Sequence, residues 1–168
     1  MANILFVIAP SNFRDEEYQR PREVLENAGF KVTVASKGVK TARGMLGMTV
    51  EVDKDLTEVT VRDFAAIVFV GGSGSSVYFN DQTALNLAKE AYQQGKVIGA
   101  ICVAPSILAN AGILKDKKAT CFSSEAGNLQ AKGAIYSKDS VTVDGKIVTA
   151  DGPAAAELFG QKIVELLI

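Results

Sequence analysis

Four short runs of Val, Ile, Leu, Phe and Ala recur along the chain, and the amphipathic stretches between them end in glycine. No other feature constrains the fold as strongly. Residues 3–9, 30–36, 65–70 and 96–102 are nearly continuous in apolar and β-branched side chains, as expected of parallel strands covered on both faces. Between them, residues 15–28 place Val24, Leu25 and Ala28 on one face, and residues 81–94 place Ala84, Leu85, Leu87, Ala88, Ala91 and Tyr92 at helical spacing. Gly29 and Gly95 follow as left-handed C-terminal caps. This βαβα order predicts an α/β fold, a doubly wound and mostly parallel sheet with right-handed crossovers and helices on both faces.

Three later features read as decoration of that sheet. Residues 48–52 alternate and suggest a strand outside it, and residues 141–149 carry the hairpin signal Asp144-Gly145. Pro153 opens a last helix over 154–167, with Leu158, Phe159, Ile163, Val164 and Leu167 on one face. The 168 residues contain no linker, repeat or low-complexity stretch, so one domain over 1–168 is expected.

Charge narrows the function. Eighteen basic and nineteen acidic side chains leave a net charge of -1, so no overall field draws in nucleic acid or an anionic membrane, and neither is expected as a partner. The start, residues 1–9, has no basic leader and breaks at Pro10, which predicts a strand and a cytoplasmic protein. The chain has two cysteines and no histidine. A disulfide framework, a structural zinc site, a Cys–His dyad and a Ser–His–Asp triad are therefore all unexpected, and no metal or cofactor is predicted.

Cys102 carries the strongest chemical signal. It ends the run Lys96-Val-Ile-Gly-Ala-Ile-Cys102 and precedes a helical segment over 103–111, which places it at the carboxyl edge of the sheet, where open α/β folds bind ligands. The helix mouth and its unpaired amides, Val103 among them, are expected to lower the thiol pKa there. The glycine-rich segment Gly71-Gly72-Ser73-Gly74-Ser75-Ser76 fits neither G-x-x-x-x-G-K-[ST] nor G-x-G-x-x-G. It reads either as a flexible loop or as backbone amides of Gly71 and Gly72 lying beside Cys102 as an oxyanion hole. Cys121 reads as a packed core thiol, Asp151 as the N-cap of the last helix, and Tyr78 with Phe79 as an aromatic staple.

Taken together, Gly71-Gly72, the elbow Ala100-Ile-Cys-Val-Ala-Pro105, the acidic cluster Asp15-Glu-Glu17 ahead of Pro21, and Asp151-Gly-Pro153 resemble the ThiJ/PfpI superfamily. That group includes the Parkinson-associated protein deglycase and the PfpI intracellular proteases. The resemblance spans essentially the whole chain. It implies a flavodoxin-like, class I glutamine amidotransferase-like sandwich, a homodimer, and a cysteine in a strained turn paired with a glutamate, which here matches Glu17. The sequence also departs from the family pattern. Val103 stands where the PfpI proteases have histidine, Ser76 where a neighbouring subunit's glutamate is expected, and Phe122 where deglycase-type members place histidine.

The expected chemistry is therefore confined to Cys102, Glu17 and backbone amides. Enclosure raises the pKa of a carboxyl group beside a thiol, so the proton is expected on Glu17, which then serves as general acid and base. The implied function is cysteine-dependent protection against reactive carbonyls, glyoxalase-like or deglycase-like, with a small carbonyl compound as partner. The alternative is an oxidant-responsive protein without turnover, whose Cys102 is oxidised to sulfenic and sulfinic acid. Peptidase chemistry is the weakest reading, because no histidine is present to protonate the leaving amine.

Overall fold

The computed structural model describes residues 2–168. Its strands are β1 (Asn3–Val7), β2 (Ser11–Phe13), β3 (Lys31–Ser36), β4 (Thr41–Gly44), β5 (Thr49–Glu51), β6 (Lys54–Asp55), β7 (Ala66–Phe69), β8 (Val97–Ile101), β9 (Lys118–Ala119), β10 (Ile135–Tyr136), β11 (Val141–Asp144) and β12 (Ile147–Ala150). The helices are α1 (Asp15–Asn27), α2 (Gln82–Gln93), α3 (Pro105–Asn110), α4 (Ala126–Ala131) and α5 (Ala156–Leu167). A seven-stranded sheet runs in the order β11-β12-β8-β7-β1-β3-β6. Every pairing in it is parallel except β11 with β12. The mostly parallel α/β architecture expected from the apolar runs is the one observed.

The two faces of the sheet explain why those runs are uninterrupted. Leu5, Val7, Ile67, Phe69 and Ile98 pack into one core with α2 and α3, while Ile4, Phe6, Val68 and Ile101 pack into the other with Phe159 and Ile163 of α5. Alternate residues of each strand thus reach different cores, and both must be apolar. Asp81 caps α2 by accepting a hydrogen bond from the Ala84 N–H at 3.0 Å.

Three local expectations are corrected. β12 is no decoration: it pairs in parallel with β8 from Ile147 to Ala150 and so belongs to the main sheet. Asp151 does not cap the last helix, which is preceded by a 3₁₀ turn over Pro153–Ala155 with Gly152 at its start. The glycine-rich segment is no flexible loop but a 3₁₀ helix over Ser73–Tyr78, anchored by Tyr78, whose buried hydroxyl donates to the Ile8 carbonyl at 2.8 Å. β5 does lie outside the main sheet, paired with β4, which in turn pairs with β2. No helix of the described residues is long and apolar enough to cross a membrane.

Candidate active site

The site forms where β1, β7 and β8 end on the same edge of the sheet. Cys102 follows β8 directly, at φ 64°. The other non-glycine residues with positive φ are Asn12 and Asp116, types whose short polar side chains help them into this conformation; cysteine has no such help. The strain, of order 1 kcal/mol or more, is held from both sides. The Cys102 N–H donates to the Ala150 carbonyl of β12 at 2.8 Å, and the Cys102 carbonyl accepts from the Phe122 N–H at 2.7 Å.

Glu17 comes to the same point from the first turn of α1 and is fully buried. Three consecutive acids open that helix, and the fold gives each a different task. Asp15 accepts from the N–H groups of Leu46 and Met48, each at 2.9 Å, which clamps the turn between β4 and β5. Glu16 pairs with Arg14 at 3.0 Å. Both carboxyl oxygens of Glu17 are buried with no hydrogen-bond partner, so this acid is not the solvated first-turn residue that its neighbours would suggest.

Gly71 explains how the carboxyl and the thiol come so close. A Cβ on Gly71 would overlap Glu17 Oε1 and lie 2.5 Å from the Ile101 carbonyl and 2.7 Å from Cys102 Cβ. Only a residue without a side chain lets the three elements converge. Gly72 is required twice over: its φ is 103°, and a Cβ there would overlap the Arg14 nitrogen and lie 2.6 Å from the Asn12 carbonyl. The Gly71 carbonyl accepts from the Arg14 N–H at 2.9 Å, so the glycine pair also seats the start of α1.

The electrostatics correct one expectation. Burial raises the Glu17 carboxyl to about 8, against the adjacent Cys102 and the Arg14 charge, which lower it. Burial, together with an ionised Glu17 beside it, also pushes the Cys102 thiol up to about 12. The N–H groups of Gly72 and Val103 pull it down without winning. The expected thiol lowered by a helix mouth is thus reversed, because α3 starts only at Pro105 and has six residues, too little and too far to offset burial. Cys102 and Glu17 titrate as a pair. At neutral pH Glu17 keeps its proton and contributes no charge against the sulfur. When the pair loses its first proton near pH 8, the carboxyl gives it up and becomes an acceptor for the thiol proton, and the two amides stabilise negative charge as it develops on sulfur.

A cavity of about 290 Å³ opens over the pair, walled by Arg14, Met45, Ser73, Val103, Phe122 and Pro153. The residues expected at the site, Cys102, Glu17, Gly71, Gly72 and Val103, thus converge on one point, with Gly72 and Val103 supplying amides and Gly71 the space. Ser76 is exposed, its hydroxyl donating to the Ser73 carbonyl at 3.2 Å. Cys121 is 2% exposed and faces a second cavity of about 290 Å³ with Tyr136 and Asp151. Sequence reasoning missed Arg14 and Met45. Arg14 carried a readable signal: a cation directly before three acids at a helix start opposes the helix dipole, so another interaction must hold it there. Met45 carried none, since it reaches the site only through the Asp15 clamp.

Known proteins match this chain over nearly its whole length. The DJ-1/PfpI family model matches residues 2–166. An uncharacterized protein of Methanocaldococcus jannaschii is 44% identical over 99% of this chain and 82% of its own length. The deglycase PfpI of Pyrococcus furiosus is 32% identical over 98% of both chains. The crystal structure of a ThiJ/PfpI domain protein from Brachyspira murdochii superposes with a TM-score of 0.96 at 36% identity, covering 98% of this chain and 95% of that one. With a family match over nearly every residue and the same fold in a solved relative, this chain belongs to the DJ-1/PfpI family.

Proposed function

We propose that the protein converts small reactive carbonyls, 2-oxoaldehydes above all, through Cys102 and Glu17 without metal or cofactor. One observation carries this reading: a fully buried glutamate with both oxygens unpartnered stands beside a cysteine held in a strained elbow. An unpaired buried carboxyl is destabilising by several kcal/mol, and such a group is kept at sites that use its proton. That relatives in the family are named deglycases supports the same substrate class.

The thiol proton passes to water as the sulfur adds to the aldehyde carbon, forming a C–S bond while the oxygen takes the proton held by Glu17. The resulting Glu17 carboxylate removes the proton on that carbon and returns it to the neighbouring carbon. The aldehyde carbon is thereby oxidised to a thioester and the ketone reduced to an alcohol. Water then cleaves the thioester, releasing a 2-hydroxy acid and restoring the thiol. The N–H groups of Gly72 and Val103 stabilise the oxyanion in the first step.

A second reading rests on the same unpartnered oxygens. Peroxide converts Cys102 to sulfenic acid and then to sulfinic acid, with one water released at each step, and Glu17 hydrogen-bonds the added oxygen. Peptide hydrolysis lacks the histidine that usually protonates the leaving amine, since Val103 and Phe122 occupy the positions of the family's histidines.

The deciding experiment is methylglyoxal turnover, followed as 2-hydroxy acid formed. Cys102→Ser is expected to abolish it. Glu17→Gln is expected to reduce it by about 10²-fold or more while iodoacetamide still alkylates Cys102. Turnover that survives in Glu17→Gln overturns the proton shuttle; absence of turnover in the unaltered protein leaves the oxidation reading, tested by the mass gained at Cys102 in mild peroxide.

A further inference from the structure

Arg14 is the cationic residue in the wall of the Cys102 cavity, and its guanidinium is only half used. Its Nε and Nη2 donate to the Glu16 carboxylate at 3.0 to 3.3 Å. Among the described residues Nη1 has no hydrogen-bond partner, which leaves a second edge of the planar fork, Nη1 with the remaining Nη2 proton, uncommitted. The rest of the wall is largely apolar, with Met45, Val103, Phe122 and Pro153.

We infer that this open edge of Arg14 makes the site selective for 2-oxoaldehydes that carry a carboxylate on their tail. The inference rests on the reading of the site as a carbonyl-converting one. Three physical points support it. A guanidinium presents paired N–H groups at the spacing of a carboxylate's two oxygens. The Glu16 pair fixes the orientation of that fork, so little side-chain freedom remains to be lost on binding. A wholly apolar tail would strip water from Nη1 and leave a charged donor unpaired, whereas a carboxylate replaces that water with an acceptor. Because Glu16 cancels much of the Arg14 charge at a distance, the selectivity is directional and short in range rather than a long-range field. The cavity of about 290 Å³ suits a substrate of a few carbons.

The test compares kcat/KM for 4,5-dioxopentanoate with that for its methyl ester, which has the same reacting end without the charge. The ratio is taken within each protein, so differences in folding or total activity cancel. In the unaltered protein the acid is expected to be preferred about tenfold or more. Arg14→Gln is expected to bring the ratio to about one, and Arg14→Lys, which keeps the charge and loses the fork, to fall between. Equal use of acid and ester by the unaltered protein overturns the inference and leaves the carbonyl chemistry standing. If no 2-oxoaldehyde is turned over, the carbonyl reading fails, and Arg14 is judged by binding. 4-Oxopentanoate should then slow iodoacetamide alkylation of Cys102 more than its methyl ester does in the unaltered protein, but not in Arg14→Gln. Equal protection by acid and ester rejects the assignment.

Discussion

The two cysteines of this protein face cavities of equal size that share Phe122 and Pro153 as a common wall. Burial raises both thiols to about 12. What differs is the company. Around Cys121 the neighbouring charges are Glu125 and Asp151, and both raise its pKa further. Around Cys102, two backbone amides favour the thiolate and an adjacent carboxyl can take the proton. Cys102 is also partly exposed, whereas Cys121 is 2% exposed. Desolvation treats the two sulfurs alike, and only an adjacent proton acceptor and donors aimed at the sulfur separate a reactive thiol from a packed one.

Four measurements bear on this contrast. The largest effect should come from removing the proton acceptor. Glu17 is raised from 4.5 to about 8 in the folded protein, so its contribution to stability is fully present below pH 4.5. That contribution is lost as pH rises, because the unfolded chain ionises while the folded one holds its proton. The penalty reaches about 5 kcal/mol above pH 8. Urea unfolding at pH 5 and pH 8 should therefore show Glu17→Gln gaining several kcal/mol over the unaltered protein at the higher pH only. Equal pH dependence in both would place the carboxyl in water and end the contrast.

Next in size is the difference in alkylation. Iodoacetamide followed by peptide mass analysis should modify Cys102 about 10²-fold faster than Cys121, with a rise centred near pH 8. In Glu17→Gln that midpoint should vanish. Equal rates at the two cysteines would show that the neighbours of Cys102 do nothing for its sulfur.

A methyl group at Gly71 comes third. Gly71→Ala must push apart Glu17, Ile101 and Cys102, at about 1–3 kcal/mol in thermal or urea unfolding. Carbonyl turnover should fall far more than stability, because it depends on the Glu17-to-sulfur approach. Activity that simply tracks the folded fraction would separate packing from catalysis here. The smallest effect belongs to Cys121→Ala, expected at about 1 kcal/mol of stability with turnover within a factor of two. A large loss of turnover would make the second cavity part of the first.

Much of the fold could be read in advance. The four main strands end within two residues of the expected bounds, since runs buried on both faces leave no polar residue to obscure them. Pro21 did not break α1, although it falls in its interior. β12 was misplaced because Ile147–Ala150 looks the same as a hairpin arm whether or not a third strand takes its other edge. In the site, Cys102 was visible from strand, cysteine and helix in succession, whereas its strained turn, at φ 64°, was legible only through the family resemblance. Asp15, Glu16 and Glu17 looked interchangeable by composition. Which one turned inward was settled by the β4–β5 turn taking Asp15 and Arg14 taking Glu16.

The sequence by itself determined the architecture, the absence of imidazole chemistry and the place of Cys102, because these follow from periodicity, residue type and position at a strand end, all local properties of the chain. The tertiary structure alone decided the proton's home. A pKa depends on what surrounds a group in space, and the surroundings of Cys102 come from α1, from the turn after β7 and from its own elbow, segments far apart along the chain. Those contacts bury Glu17 without a partner, outweigh the short α3 and turn an expected acidic thiol into half of a proton-sharing pair.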